Sequence, residues 1–223
     1  MSRDVRHEFR YFFSSRFFAL VKGRLESIAE QQEYANPITS TVYFLPAYQR
    51  GVVKTYTRLR FYSSSTEKTL SFLGDGFLEI KRTNKDGLVI KDRHVVQVNE
   101  AFSSLVNGSV DELLGPLANL HGSFTPMVGM SVRRSHWLTV NARLTLDHNI
   151  RVFGFVGKKL SESECIATLN EDKVEIKSSI LLNLPEELRR IFGGVSYHAE
   201  TCAYLEGRLR SCYQQWHQGM LCK

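Results

Sequence analysis

The sequence lacks the short motifs that identify the common nucleotide-binding and hydrolytic enzymes. It has no P-loop glycine pattern, no G-x-G-x-x-G fingerprint and no ordered serine, histidine and acid series. It also lacks a long apolar run, because the N-terminus enters charged sequence at once and no stretch suits a transmembrane helix. We therefore expect a cytoplasmic domain, and an association with a membrane would have to come through another chain.

Cysteine is scarce, with four residues at Cys165, Cys202, Cys212 and Cys222. No two of them form a C-x-x-C pair, and no cysteine and histidine group has zinc-binding spacing. Free thiols in a reducing compartment are the expectation. The sequence therefore does not indicate a zinc module or a disulfide-stabilised scaffold.

The composition is that of a globular protein with a moderate excess of positive charge. A chain of 223 residues with 43% hydrophobic residues can bury a real core, and we expect one domain over residues 1–223. The 29 Lys and Arg residues exceed the 23 Asp and Glu residues, which gives a net charge of +6. This balance indicates an anionic partner: phosphate, nucleic acid or an acidic membrane surface. Because acidic residues are interspersed with the basic ones, a generic basic tail is not indicated.

Ionised residues recur at a spacing of two within strand-like segments. Residues two apart in a strand point to the same face. This spacing joins Arg58 to Arg60, Glu79 to Lys81, Lys91 to Arg93, Glu175 to Lys177, Arg6 and Arg10 to Glu8, and, by two steps through Thr145, Arg143 to Asp147. An ordinary half-buried sheet whose charged residues face water would explain any one of these segments. It explains less well why nearly every segment has an excess of arginine and lysine together with a single glutamate. A closed barrel whose interior binds a polyanion and a divalent metal needs that mixture.

The periodicity and the turn residues predict the elements of such a barrel. Strands are expected at residues 5–12, 39–46, 53–62, 76–83, 88–97, 126–135, 137–147, 150–157 and 172–178. Helices are expected at residues 16–32, within 99–120, at 185–192 and at 197–216. Ser14 and Ser15 are the candidate caps of the first helix. Asn84–Gly87 and Asp147–Asn149 read as turns between strands.

The ordered series of these motifs resembles the VTC domain of the triphosphate tunnel metalloenzymes, from about residue 3 to about residue 210. The resemblance implies an α+β fold that is mainly antiparallel β. It implies a closed β-barrel tunnel of about eight strands with flanking helices. It also implies Mn²⁺ or Mg²⁺ as cofactor, and ATP, triphosphate or polyphosphate as ligand.

The candidate site residues are basic side chains that bind phosphate and carboxylates that bind metal. The phosphate-binding candidates are Arg10, Arg58, Arg60, Lys81, Lys91, Arg93, Arg133, Arg134, Arg143 and Lys177. Those expected to act in catalysis are Arg58, Arg60, Lys81, Arg133 and Arg143. Guanidinium groups suit this role because they bind phosphate oxygens in a bidentate way.

Two choices within this set follow from position in the strands. Arg133 and Arg134 are adjacent, so only one of them faces inward, and Arg133 is preferred. Glu175 is the first metal candidate and Glu8 the second, since Mg²⁺ and Mn²⁺ take oxygen ligands and often use few carboxylates. His7 and His136 alternate with inward residues and are interpreted as structural.

The sequence departs from the family at two places. Relatives that hydrolyse triphosphates often have Glu-x-Glu-x-Lys in the first strand, where this chain has Arg6, Glu8 and Arg10. The loss of one carboxylate weakens a two-metal hydrolase interpretation. VTC polymerases have a Phe-Ser-Lys-Tyr-x-x-Gly-like stretch late in the chain, and here Ala203 stands at the lysine position. Lys177 or Arg208 could supply the missing contact.

The leading functional hypothesis is therefore metal-dependent phosphoryl transfer, with ATP-dependent polyphosphate synthesis first. A triphosphatase of the same fold is the alternative enzyme. A non-catalytic polyphosphate- or nucleotide-binding sensor is the alternative from another class, and Ala203 supports it. An RNA-binding β domain is permitted by Tyr56, Phe61 and Tyr62. The acidic residues in the same phase disfavour nucleic acid.

Overall fold

The computed structural model describes residues 2–33, 38–46, 54–63, 69–83, 88–107, 124–156, 159–180, 182–199, 208–209, 211–212, 214–215 and 218. The strands are β1 Ser2–Ser14, β2 Glu30–Gln32, β3 Ile38–Pro46, β4 Lys54–Tyr62, β5 Gly76–Thr83, β6 Leu88–Val96, β7 Phe124–Leu138, β8 Arg143–Phe155, β9 Ser163–Thr168, β10 Glu171–Ser178 and β11 Tyr197–Ala199. The α-helices are α1 Phe18–Ile28, α2 Val98–Asn107 and α3 Leu184–Phe192. Short 3-10 turns cover Ser15–Phe17 and Leu160–Glu162.

The strands form one sheet of 11 strands, and every pairing between them is antiparallel. The strand path runs β2-β7-β3-β4-β5-β6-β1-β10-β8-β9, while β11 pairs with β1 and β7 also pairs with β8. The strands expected at 39–46, 53–62, 76–83, 88–97 and 172–178 correspond to β3, β4, β5, β6 and β10.

The prediction of a closed β-barrel tunnel is wrong. Full closure into a barrel leaves no edge strand, whereas the path of this sheet begins at β2 and ends at β9. The cause is the length of β7 and β8, since β7 is paired by both β3 and β2 and β8 by both β10 and β9. β7 and β8, the second and the second-to-last strands of the path, also pair with each other, but β2 and β9 remain as end strands beyond them.

Three groups of buried apolar residues hold the sheet and its helices together. The first packs Val98, Phe102 and Leu105 of α2 against side chains of β3, β4 and β5. The second packs α1 and α3 against β1, β8 and β10 around the fully buried Trp137. The third lies between β1, β7 and β8 and includes Phe12. The burial of these side chains, at about 25 cal/mol per Å² of apolar area, is the main stabilising contribution to the fold.

The structure corrects the prediction that Asp147–Asn149 is a turn. These residues lie inside β8, which continues to Phe155, and the turn falls instead between β7 and β8 at residues 139–142. Asn149 has a positive φ of 52°, a conformation that Asn tolerates better than most residues. The polar run therefore lies within a strand, at a shift in its register with β7, and Asp147 is buried.

The ends of two helices also differ from the predictions. The first helix is shorter than residues 16–32, and Phe17 rather than a serine stands at its N-cap. The Ser15 hydroxyl donates instead to Asp172, 3.0 Å away. Residues 197–199, expected to begin a closing helix, form β11, and helical residues follow at 208–209, 211–212 and 214–215.

Several predicted features lie outside the described residues. These are the hairpin turn at 84–87, the segment 108–120 and the segment 201–207 that contains Ala203. In the part of the chain that is described, no helix combines the length and apolar character needed to span a membrane.

Candidate functional site

The period-two pattern of the sequence places charged and apolar side chains on opposite faces of the strands. In β4, Leu59 and Phe61 are fully buried in the core beneath α2, while Arg58 and Arg60 alternate with them. In β10, Val174 and Ile176 pack beneath α1 and α3, and Glu175 and Lys177 point the other way. The sheet therefore carries a continuous charged face.

We call the ion-paired side chains of this face the charged cluster. Among the described residues it contains nine basic side chains and four carboxylates: Arg6, Arg10, Arg58, Arg60, Lys91, Arg93, Arg134, Lys173, Lys177, Glu8, Glu79, Asp147 and Glu175. The basic excess remains after every carboxylate is paired, and it favours an anionic ligand.

Glu79 of β5 is the centre of the first part of the cluster. Its side chain has no exposed surface, and the Glu79 carboxylate lies 2.7 Å from Arg58, 2.8 Å from Arg93, 3.6 Å from Lys91 and 3.8 Å from Arg60. Burial alone would raise the pKa of Glu79, but these four cations hold it well below its ordinary value. Glu79 is thus ionised at neutral pH and orients the basic side chains of β4 and β6.

Arg10 of β1 joins the two carboxylates that the sequence marks as metal ligands. Its Nη2 donates to Glu8 at 2.5 Å and its Nε donates to Glu175 at 2.6 Å. Arg6 donates to the other oxygen of Glu8, and Lys177 to the other oxygen of Glu175. Each carboxylate is therefore held between two cations, which for Glu8 both lie on β1 and for Glu175 lie on β1 and β10.

The third part of the cluster lies where β7, β8 and β10 meet. Arg134 forms two hydrogen bonds with Asp147, at 2.5 and 2.6 Å, and Lys173 lies 2.9 Å from the same carboxylate. Burial opposes ionisation of Asp147, yet Arg134 and Lys173 lower its pKa far below the usual range. The same carboxylate raises the pKa of Arg134, although burial of the guanidinium acts in the opposite direction.

These parts influence one another and form a single site. The charges of Arg10 and Glu8 act on Arg58, that of Arg134 acts on Arg60, and that of Glu175 acts on Arg134. Burial, followed by repulsion from Arg58, lowers the pKa of Arg60 to about 10.

Two lysines of the site, Lys91 and Lys177, have lowered pKa values. Burial is the largest cause that lowers the pKa of Lys91 to about 8 and that of Lys177 to about 7, while Glu79 and Glu175 oppose these shifts. A polyanion would restore the charged form of both lysines, because negative charge nearby favours the protonated amine.

The structure brings most of the predicted residues together and places Arg133 apart from them. Arg134, and not the preferred Arg133, belongs to the charged cluster, while Arg133 is exposed. The preference was wrong because β7 keeps its alternation up to the buried Trp137. Arg143 is half-buried on β8, and within the described residues no ion pair holds it. Lys81 lies on β5 between Tyr56 and Lys91, and its side chain is outside the description.

Sequence reasoning missed Lys173 and misplaced Asp147. Lys173 extends the Glu175 and Lys177 pattern by one more step of two residues, so its period could have revealed it. His136 was interpreted as structural, yet it lies on β7 two residues from Arg134, which places it on the charged face.

The carboxylates of the site can hold a divalent cation only if a bound phosphate group supplies further ligands. The described residues contain no group of three His, Cys, Asp or Glu side chains placed to hold a metal ion. Glu8 and Glu175 are nevertheless both in contact with the guanidinium of Arg10. Mg²⁺ commonly binds through one or two carboxylates together with waters and substrate phosphates. The two glutamates suit that chemistry if phosphate takes over the pairing with Arg10.

Two solved structures have a similar backbone. A candidate adenylate cyclase from Bacillus halodurans gives a TM-score of 0.53 at 13% identity, over 86% of this chain and 91% of that chain. A candidate adenylyl cyclase from Hippeastrum, with a dominant triphosphatase activity, gives 0.53 at 15% identity, over 91% and 96%. At such identities the likeness shows the fold alone. No protein-family profile and no curated protein matches the chain.

Proposed function

We propose that the charged cluster binds the triphosphate part of a ligand and promotes metal-dependent hydrolysis of its terminal phosphate. The observation that carries the proposal is the state of Arg60. Its Nε is buried without a hydrogen-bond partner in the described part of the chain, and Glu79 is 3.8 Å from its nearest guanidinium nitrogen. A buried cationic donor that lacks a partner is costly, and a phosphate oxygen is the acceptor that such a donor binds best.

The rest of the cluster supports the same ligand. Arg58 and Arg93 hold Glu79 on one side of Arg60, and Arg134 acts on Arg60 from β7. Rigid strands fix these groups more accurately than loops would. Since the phosphates of a triphosphate are close together, a row of cations on adjacent strands can contact several of them at once.

Glu8 and Glu175 are the residues that would hold the cation. A bound Mg²⁺ or Mn²⁺ would supply positive charge that neutralises the phosphate oxygens as they react. Arg10 and Lys177 donate to the two oxygens of Glu175. Phosphate would draw those two cations away, which frees the carboxylate. Phosphoryl transfer depends mainly on such positioning and charge stabilisation, so a side-chain nucleophile is not needed.

The comparison with solved structures supports hydrolysis over other reactions of the site. The Hippeastrum protein, which has this fold, has a dominant triphosphatase activity. A second candidate, ATP-dependent polyphosphate synthesis, is favoured by one observation: the first strand carries Arg6 and Arg10 around Glu8, as in the VTC resemblance, and all three are ion-paired. The two reactions differ only in the acceptor, water or a phosphate chain.

Product analysis tests the proposal. The protein is incubated with tripolyphosphate or ATP, with Mg²⁺, with Mn²⁺ and with a chelator. Free phosphate that depends on the metal supports the triphosphatase, whereas chain polyphosphate with ADP supports the polymerase. Binding of tripolyphosphate without either product would leave a sensor domain, and no binding at moderate ionic strength would refute the site itself.

A further inference from the structure

Four residues on neighbouring strands lie in one row across the charged face. His136 of β7 pairs with Thr145 of β8, Thr145 pairs with Glu175 of β10, and Glu175 pairs with Arg10 of β1. Directly paired residues of antiparallel strands point to the same face. The row therefore places an imidazole two strands from a carboxylate proposed to hold the metal.

His136 is half-buried among cations, and this setting favours the neutral form of its imidazole. The charged groups that face it are Arg134 on β7, Arg143 and Asp147 on β8, and Lys177 on β10. On β2 the paired residue is the uncharged Gln32, and its charged neighbour Glu30 is exposed. Burial first, and then repulsion from the three cations, lowers the pKa of His136 to about 4. Its imidazole is therefore neutral at pH 7, and a neutral imidazole accepts a proton at one of its two ring nitrogens.

Thr145 supplies an independent observation in the same row. Its side chain has no exposed surface, and its hydroxyl has no hydrogen-bond partner among the described residues. Buried hydroxyl groups without a protein partner are commonly satisfied by an ordered water. Thr145 lies between His136 and Glu175 in this row, so a water bound to its hydroxyl would be near the imidazole.

We infer that His136 is the general base of the proposed triphosphate hydrolysis and that Thr145 holds the attacking water. In this step the water oxygen forms a bond to the terminal phosphorus while His136 accepts one proton of that water. The bond from the terminal phosphorus to the bridging oxygen breaks, and the departing diphosphate group keeps the electron pair. The proton on His136 then passes to that departing group or to solvent.

The bound ligand would tune the base. Phosphate charges offset the repulsion from Arg134, Arg143 and Lys177, so binding raises the proton affinity of His136 toward that of an ordinary histidine, near pKa 6.5. A base with a pKa near the working pH is the most effective. The ligand therefore makes the imidazole a stronger base at the moment when it is needed.

The test compares His136→Gln with a matched control, His148→Gln, in the whole chain. His148 lies 12 residues later on β8, is paired with the exposed Arg133, and packs against Phe18 of α1 with ring centroids 4.5 Å apart. With tripolyphosphate and Mg²⁺ or Mn²⁺, His136→Gln is expected to lower kcat about 100-fold or more with little change in KM. The fall of kcat at low pH, the acid limb of the pH profile, should also disappear in His136→Gln. His148→Gln should keep the wild-type kcat and the acid limb.

Thr145→Val guards against a purely structural explanation. It removes a buried hydroxyl and keeps the shape, so the melting temperature should not fall, yet kcat should fall at unchanged tripolyphosphate binding. Wild-type kcat in His136→Gln, or an acid limb that persists in it, would overturn this inference and leave the triphosphatase intact. An inactive wild type would overturn the proposed hydrolysis and this inference together.

Discussion

Arg134 and Asp147 form a buried ion pair across β7 and β8, with Nε 2.5 Å from Oδ1 and Nη2 2.6 Å from Oδ2. The two parallel hydrogen bonds fix the plane of the guanidinium. Lys173 adds a third charge to the same carboxylate, at 2.9 Å. Asp147 therefore orients one arginine and one lysine of the charged cluster without being exposed to solvent.

Loss of the Asp147 charge should destabilise the protein strongly. Asp147→Asn leaves Arg134 and Lys173 as buried cations without their counterion, which costs about 3–5 kcal/mol of unfolding free energy. Urea unfolding at pH 7 measures it. The control is Glu186→Gln, in an exposed pair with Arg189, which should change stability by no more than about 1 kcal/mol.

The same substitution has a defined pH dependence. The pKa of Asp147 is lowered in the folded protein, because its two cations overcome the effect of burial. The ionised Asp147 therefore contributes fully to the free energy of unfolding above its unfolded-state pKa of about 3.9. This contribution is lost as the pH falls toward the pKa of Asp147 in the folded protein. The difference between wild type and Asp147→Asn should shrink below about pH 4. An equal difference at pH 3 and pH 7 would contradict the ion-pair account.

Asp172 should show the opposite pH dependence. It is buried beside the Ser15 hydroxyl, and burial raises its pKa to about 6 despite hydrogen bonds from Ser15 and the Asn149 backbone. The folded state holds its proton more tightly than the unfolded state, so stability falls as the pH rises from about 4 to 6. Asp172→Asn keeps an acceptor oxygen and removes this loss.

The variant Asp172→Asn is therefore expected to melt higher than wild type at pH 7.5 and about equally at pH 4. The gain at pH 7.5 should be on the order of 1 kcal/mol after allowance for solvent screening. Melting curves of both proteins across this range decide it. A variant less stable than wild type at pH 7.5 would show that the ionised carboxylate holds Ser15 and β8 together.

Much of this site could be predicted because its strands obey a period of two. Arg58, Arg60, Glu79 and Glu175 were expected on one face, and the structure places them in one charged cluster. Their apolar neighbours are buried on the opposite face, as expected for a half-buried strand. The alternation is a local property of the chain and depends little on which strands are neighbours.

The features that failed depend on length and distant contacts. Nothing local shows that β8 continues past Asp147, because the run Asp147-His148-Asn149 has the composition of a turn. The positions of β2 and β9 as the end strands of the sheet could not be foreseen. Both are short, and each pairs only with part of a long strand, β2 with β7 and β9 with β8. His136 was overlooked because its setting consists of residues from three strands.

Arg60 and Arg133 offer a matched pair for testing anion binding. Arg60 is in the charged cluster and Arg133 is exposed outside it. Tripolyphosphate should raise the melting temperature of wild type by mass action. Arg60→Gln should remove most of this rise and Arg133→Gln little of it, at equal ionic strength. Equal rises in both variants would indicate a diffuse electrostatic effect rather than a site.

Glu175→Gln should separate binding from chemistry. The change removes one negative charge and releases Arg10 and Lys177, which contact the two oxygens of Glu175. The basic field around the ligand becomes stronger, so tripolyphosphate should bind as well as to wild type or more tightly. Turnover should be lost, because the cation then lacks one of its two proposed carboxylates.

The measurement combines calorimetric titration of tripolyphosphate with phosphate release in the presence of Mg²⁺, Mn²⁺ or chelator. Glu8→Gln is the companion variant and should behave in the same way, since Arg10 joins both carboxylates. Glu79→Gln is the contrast, because Glu79 is enclosed by four cations and should affect binding and stability together. Wild-type turnover in Glu175→Gln would remove Glu175 from the metal site. Tighter binding with no turnover in both Glu8 and Glu175 variants would instead establish that these two carboxylates oppose the ligand's charge and serve the reaction.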